Sequence, residues 1–117
     1  GHALAELGRL EEAVAEYRAA IENDPDNPHL PYILANLLAK TGSLAQAAEQ
    51  YRAALELAPD FVEAHCNLGT VLKALGQNDA ARAHAQQALE IEPGFAPAQR
   101  LLDRLDAEGR ANGGNGE

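Results

Sequence analysis

The chain has 117 residues and a formal net charge of −9, with 9 Lys and Arg against 18 Asp and Glu. That length suits a single domain, and the shortage of cations argues against a nucleic-acid surface, whose affinity comes from counterion release by clustered Lys and Arg. Apolar residues make up 46% of the chain but aromatics only 4%, so its apolar mass is Ala and Leu, which favours closely spaced helices; no run approaches the roughly 20 apolar residues of a membrane span.

The acidic excess is read first as a solvated surface that keeps Ala-rich packing in solution. With one cysteine, Cys66, an internal disulfide is excluded, and a reducing, cytoplasmic setting is expected. No basic-then-apolar leader is seen, which agrees with a soluble chain.

Residues 1–7 read as the end of one helix, stopped at Gly8, and 10–23 as the next, with Ala13, Val14, Tyr17, Ala20 and Ile21 on one stripe. Gly1-His2 is either native sequence or an expression scar. Asn27-Pro28 supplies an N-cap and a proline at the first helical position for a helix over 28–41. Pro31 leaves two starts open, one near Pro28 and one at Pro31 itself. The core face of this helix is Leu34, Leu37 and Leu38; its other face carries His29, Tyr32, Asn36 and Lys40. Gly42-Ser43 separates it from a helix over 44–57 with Leu44, Ala47, Ala48, Tyr51, Ala54 and Leu55 inward.

Asp60 and Glu63 have capping-box spacing for a helix over 61–75. Leu68, Val71, Leu72 and Leu75 form its inward face at i, i+3, i+4 and i+7, and Glu63, Cys66, Asn67, Thr70 and Lys73 lie opposite. Gly69 inside this helix costs about 1 kcal/mol relative to Ala, and that cost predicts the close approach of a neighbouring helix. Gly76 is expected as a left-handed cap. A helix over 78–91 aligns Ala81, Ala85, Ala88 and Leu89, and Pro93 closes the segment. The last helix, 95–107, turns Ala98, Leu101, Leu102 and Leu105 inward and Arg100, Asp103 and Arg104 outward. The Gly-rich stretch 108–117 is expected to be a flexible tail.

An offset of 34 residues superposes Pro25, Pro59 and Pro93; Gly8, Gly42 and Gly76; Ala13, Ala47 and Ala81; Ala20, Ala54 and Ala88; and Leu4, Leu38 and Leu72. Tyr17 matches Tyr51, with Ala85 in the third copy. This period, with its pattern of Leu, small residue, Gly, Ala, aromatic, Ala and Pro, resembles the tetratricopeptide repeat (TPR). Within that family, Ala64-His65-Cys66-Asn67-Leu68-Gly69 resembles the Asn-Leu-Gly/Ala repeats in the tetratricopeptide arm of O-linked N-acetylglucosamine transferases, with the repeated Asn at Asn67 and Ile33 at the equivalent place one copy earlier.

The resemblance implies an all-α solenoid of helical hairpins wound into a right-handed superhelix. Its domain spans 1–107, as a truncated first repeat (about 1–27), two full repeats (28–61 and 62–95) and a capping helix (96–107). It also implies a concave groove lined by the first helix of each unit. The candidate groove residues are therefore His29, Tyr32, Asn36, Lys40, Glu63, Cys66, Asn67, Thr70, Lys73, Arg100 and Arg104. Some modules of the family hold an acidic C-terminal peptide with a Lys and Asn pair, a second Asn, and a Lys and Arg pair. Here Pro97 and Leu101 stand where the last pair belongs, so that clamp is not expected.

No catalytic residue, metal or cofactor is expected. His65 and Cys66 are helix neighbours about 100° apart and do not converge on one ion. His65 reads as a packing residue, Cys66 as a small residue at the groove edge, and His2, His29 and His84 as dispersed. Asp24-Pro25-Asp26-Asn27 lacks the Gly and distal Glu of a calcium loop. Neither a phosphate loop nor a Gly-x-Ser-x-Gly elbow occurs. The function expected is a protein-protein interaction module that takes a peptide or partner helix, without nucleic acid or membrane. The alternatives are a substrate-recruiting segment of a larger enzyme, such as a glycosyltransferase, and a self-assembly element. Because the first unit lacks the front of its first helix, Val14, Tyr17 and Ile21 are expected to be uncovered, and the N-terminal end to pack against another chain as a homodimer.

Overall fold

The computed structural model describes the backbone of residues 2–116 and the side chains of Glu6 and of residues 8–108. Those residues form six helices and no strand: α1 (His2–Asn23), α2 (His29–Lys40), α3 (Leu44–Leu57), α4 (Val62–Ala74), α5 (Asn78–Ile91) and α6 (Ala96–Gly116). Short turns fold α2 onto α3 and α4 onto α5 as hairpins. The hairpins stack through α3 and α4, α1 leans on α2, and α6 rests on both α5 and α4. The result is a helical solenoid measuring 50 × 37 × 20 Å.

The two hairpin turns are copies of one another. Gly42 and Gly76 both have φ of 83°, the left-handed region open to glycine. Past each, an amide reaches back to the final turn of the helix, Ser43 N–H to the Leu38 carbonyl at 2.9 Å and Gln77 N–H to the Leu72 carbonyl at 2.8 Å. These are the long bonds of a Schellman cap. Gly8, in the same register, makes no turn. The expected helices 1–7 and 10–23 are one continuous α1, and seven predicted helices become six. A glycine permits a left-handed turn without imposing one, and at Gly8 the helical ladder of α1 continues unbroken.

Other differences concern helix ends. α2 begins at His29, the earlier of the two starts, because the Asn27 side-chain oxygen accepts the His29 N–H at 3.1 Å and Pro31 falls in the first turn, where a missing amide does little harm. The capping box of Asp60 and Glu63 does not form. Phe61 occupies the N-cap of α4 without a side-chain hydrogen bond, its ring held instead against Tyr32 at 4.7 Å and His29 at 5.3 Å. Beyond residue 107, where a helix end was expected, the backbone of α6 continues to Gly116. The side chains of the expected tail from 109 onward lie outside the described residues.

Leu34, Leu38, Tyr51, Leu68, Leu72, Leu101 and Leu105 share one buried cluster with the helix-contact alanines. Val14, Tyr17 and Ile21 pack against its edge and are half-buried rather than uncovered. Leu75, expected inside, is 37% exposed because it is the C-cap of α4, beyond the last turn that α5 covers. Leu37 and Leu55 are half-buried. The cost of Gly69 has its explanation in α6: a Cβ there would lie 2.7 Å from Leu101 Cδ2 and 3.1 Å from the Ala81 carbonyl oxygen.

Candidate partner-binding groove

α2 and α4, the first helices of the two full repeats, bring side chains 31 residues apart into contact. Asn67 Nδ2 donates to Asn36 Oδ1 at 3.2 Å and to the Tyr32 hydroxyl at 3.1 Å. The Tyr51 hydroxyl, rising from α3, also donates to Asn36 Oδ1. Tyr51 is only 2% exposed, and burial pushes its phenol up to about 12, with Tyr32 adding to the rise and the Asn67 side chain opposing it. This phenol stays a neutral donor under all ordinary conditions.

Each carboxamide therefore has one atom committed and one uncommitted. Asn36 Oδ1 accepts twice, which leaves its Nδ2 without a protein partner. Asn67 Nδ2 donates twice, which leaves its Oδ1 likewise. Among the described residues no buried side-chain nitrogen or oxygen lacks a hydrogen bond, so both uncommitted atoms reach solvent. Tyr32, Asn36 and Asn67 are half-buried, consistent with a groove floor.

The other predicted groove residues divide. His29, Lys40, Glu63, Thr70, Arg100 and Arg104 are exposed. His29 stands edge-on to Phe61, and the Thr70 hydroxyl folds back on the Cys66 carbonyl at 3.2 Å. Arg100 and Arg104 lie one turn apart on α6, without an ion pair among the described residues. Lys73 is half-buried and tied to Glu108 of α6 at 2.8 Å, which closes one end of the α4–α6 contact. Cys66 is the correction. At 5% exposure it belongs to a second apolar cluster with Val62, Ala88 and Ala98, because α5 and α6 close over its face of α4. Burial also pushes its thiol above the ordinary range, the opposite of what a reactive cysteine needs.

Sequence reasoning missed three contacts, two of them at the groove. Tyr51 reads as core, and it is; its hydroxyl is also what fixes Asn36. Phe61 reads as a helix start, yet its ring joins Tyr32 and His29 in an aromatic wall beside the amides. His84 reads as isolated, whereas its Nδ1 lies 3.1 Å from His65 Nδ1. The first two were in principle visible from the 34-residue register, which sets α3 and the start of α4 beside α2.

Residues 1–42 and 35–76 match the TPR repeat family, and residues 62–95 match the tetratricopeptide repeat. The chain belongs to the tetratricopeptide-repeat family. Its fold is similar to that of MamA, at a TM-score of 0.83 and 21% identity over 92% of this chain; the chain spans 62% of MamA. It is also similar to the first TPR of Spaghetti (RPAP3) bound to the HSP90 peptide SRMEEVD, at 0.83 and 25% identity, covering 92% of this chain and 86% of that one. The second TPR domain of human RPAP3, in complex with the HSP70 peptide SGPTIEEVD, aligns at 0.81 and 25% identity over 91% and 88% of the two chains. A search of curated proteins returned no match.

In this tetratricopeptide array no group of three or more His, Cys, Asp or Glu among the described residues could hold a metal ion. No described helix is long and apolar enough to cross a membrane. What the repeat stacking does build is a row of hydrogen-bonding groups whose spacing is set by helix packing.

Proposed function

We propose that this chain is a non-catalytic interaction module that holds an extended segment of a protein partner, a peptide or a helix end, along the face of α2, α4 and α6. The observation that carries the reading is the carboxamide pair. A peptide backbone offers one N–H and one C=O per residue, and the pair offers one free acceptor, Asn67 Oδ1, and one free donor, Asn36 Nδ2. Both amides are held in place by Tyr51 and Tyr32, so little conformational entropy remains to be lost on binding. Tyr32, Phe61 and His29 offer an aromatic wall for a side chain of the bound segment, and Arg100 and Arg104 offer charge at the α6 end. The RPAP3 complexes support peptide as the ligand class. Pro97 and Leu101, in place of a cationic pair, favour main-chain recognition over an acidic-terminus clamp.

Selection of random phage-displayed peptides on the purified chain, followed by mapping of amide chemical-shift changes with a selected peptide, tests this reading. Shifts centred on α2, α4 and α6 are expected. Shifts confined to α3 and α5, or no selectable peptide, would overturn it.

A second reading, self-association, has its own observation. Val14 and Tyr17 are half-buried on α1, whereas Ala48 and Tyr51, one repeat later, are buried. A second copy of the chain seated on α1 would cover them, and a concentration-dependent sedimentation coefficient is the expected sign.

A further inference from the structure

His65 and His84 lie between α4 and α5, outside the set of side chains assigned to the groove. His65 is buried, and both of its ring nitrogens are engaged: Nε2 lies 2.8 Å from the Pro59 carbonyl oxygen and Nδ1 lies 3.1 Å from His84 Nδ1. The two rings are nearly stacked, with centroids 5.4 Å apart and planes 28° from parallel. A carbonyl only accepts, so His65 Nε2 carries the proton and donates it. His65 Nδ1 is then a lone pair, and His84 Nδ1 must be the N–H that donates to it. One proton sits between two nitrogens, and the tautomer of each ring is dictated by the Pro59 carbonyl.

We propose that the His65–His84 pair is a proton-sensitive joint in the second repeat, stable while both rings are neutral and weakened when the pair takes up a proton. Only with both rings protonated would two N–H groups stand face to face at a hydrogen-bond distance and the bond that links α4 to α5 at this point be lost. Protonating His84 at its free Nε2 leaves the bond in place but puts a charge beside a buried ring. The charged groups around the pair do not relieve this. Arg52 of α3 adds positive charge near His84. Glu90 of α5, the carboxylate beside His65 in a shallow depression shared with Leu55, Pro59, Gln87 and Ile91, makes no hydrogen bond to either ring. α6 meets α5 through the Arg82–Asp106 ion pair and supplies no counter-charge to the histidines.

Burial first, then His65 and Arg52, hold His84 below the ordinary histidine value of 6.5. The sign follows by linkage. Above the unfolded value His84 is uncharged in both states and the joint is intact; as pH falls below it, the unfolded chain takes up a proton that folded His84 resists, so folding weakens until the folded midpoint is passed. α4 carries Asn67 on its other side, and the joint therefore couples acidity to the helix that the proposed groove depends on.

The copy one repeat earlier has Gln50 where His84 stands, on a helix that packs in the same way, so His84→Gln is a variant the fold accommodates. Its amide can still donate to His65 Nδ1 but does not titrate near neutrality. Proton NMR of the wild-type chain should give a midpoint for His84 below the ordinary histidine value of 6.5. Each unit of separation corresponds to about a tenfold change in the folding equilibrium constant once both states have titrated. Melting of the wild-type chain should drop between pH 7.5 and 5.5 by more than that of His84→Gln, with the two alike at pH 7.5. A His84 midpoint at or above 6.5, or the same acid sensitivity in both proteins, would overturn the proposal. Should His84→Gln be poorly folded, the His84 midpoint of the wild-type chain decides alone.

Discussion

The two full repeats solve one packing problem in two ways. In the α2–α3 hairpin Tyr51 and Ala35 are both buried in the shared core. In the α4–α5 hairpin the equivalent residues are Ala85 and Gly69, and the volume is supplied from outside the repeat, by Leu101 of α6 lying against Gly69. At this position the two copies keep the space filled with different residues. The difference also decides where polar chemistry goes. Tyr51 brings a hydroxyl to Asn36 and pins the amides of the proposed groove, whereas the second hairpin, lacking that phenol, joins its helices through the two histidines.

Substitutions can break this comparison, beginning with what the repeats share. Leu72→Ala empties a fully buried site at the junction of both, and chemical denaturation should show a loss of about 2–5 kcal/mol. A loss below about 0.5 kcal/mol would mean that the shared core is drawn wrongly. Gly69→Ala separates the repeats. The new methyl would press on buried Leu101 and on the Ala81 carbonyl, and the overpacking cost of about 1–3 kcal/mol should exceed or cancel the helix-propensity gain of about 1 kcal/mol. Gly8→Ala, with nothing within 4 Å of the new Cβ, should show the gain alone and stabilise the chain. Stabilisation by both substitutions would show that Leu101 yields freely and that α6 is not seated on Gly69.

Tyr51→Phe sharpens the same contrast, because it keeps the volume and removes the hydroxyl. Asn36 Oδ1 retains Asn67 as a donor, so the expected cost is about 1 kcal/mol. It should also change the response to alkali. A phenol held up to about 12 when folded, against 10.0 ordinarily, contributes nothing to pH dependence below 10; above that the unfolded chain ionises first, and stability falls between about pH 10 and 12. Urea midpoints across that range should fall more steeply in the wild-type chain than in Tyr51→Phe. Equal slopes would mean that Tyr51 ionises without unfolding.

Much of this architecture was legible in the sequence because it is periodic. Gly42 and Gly76 announced the turns, Leu34, Leu38, Leu68 and Leu72 the core, and Gly69 the seat of another helix. Gly8 misled because a glycine allows a turn without dictating one, and at this position the backbone stays helical. The Asp60 and Glu63 spacing misled because an aromatic anchor at Phe61 fixed the entry to α4 without a side-chain cap. The site was less legible than the fold. The outward faces of α2 and α4 identify Asn36 and Asn67, but periodicity does not say that one accepts while the other donates. Nor does it say that Cys66 turns under α5 and α6, or that His65 and His84 meet; those depend on helix rotation and crossing. Asn36 also serves as acceptor for Tyr51 and Asn67, so Asn36→Ala would cost stability and cannot report on binding alone.

Asn67→Ala is the cleaner probe, since Asn36 Oδ1 keeps Tyr51 as a donor when Asn67 is truncated. Calorimetric titration of a phage-selected peptide into the wild-type chain, Asn67→Ala and the α5 surface control Gln87→Ala therefore tests the groove most directly. The account predicts a loss of affinity of about tenfold for Asn67→Ala, as expected for one or two hydrogen bonds of about 1 kcal/mol each, and none for Gln87→Ala. Unchanged affinity in Asn67→Ala, or a loss only in Gln87→Ala, would contradict it.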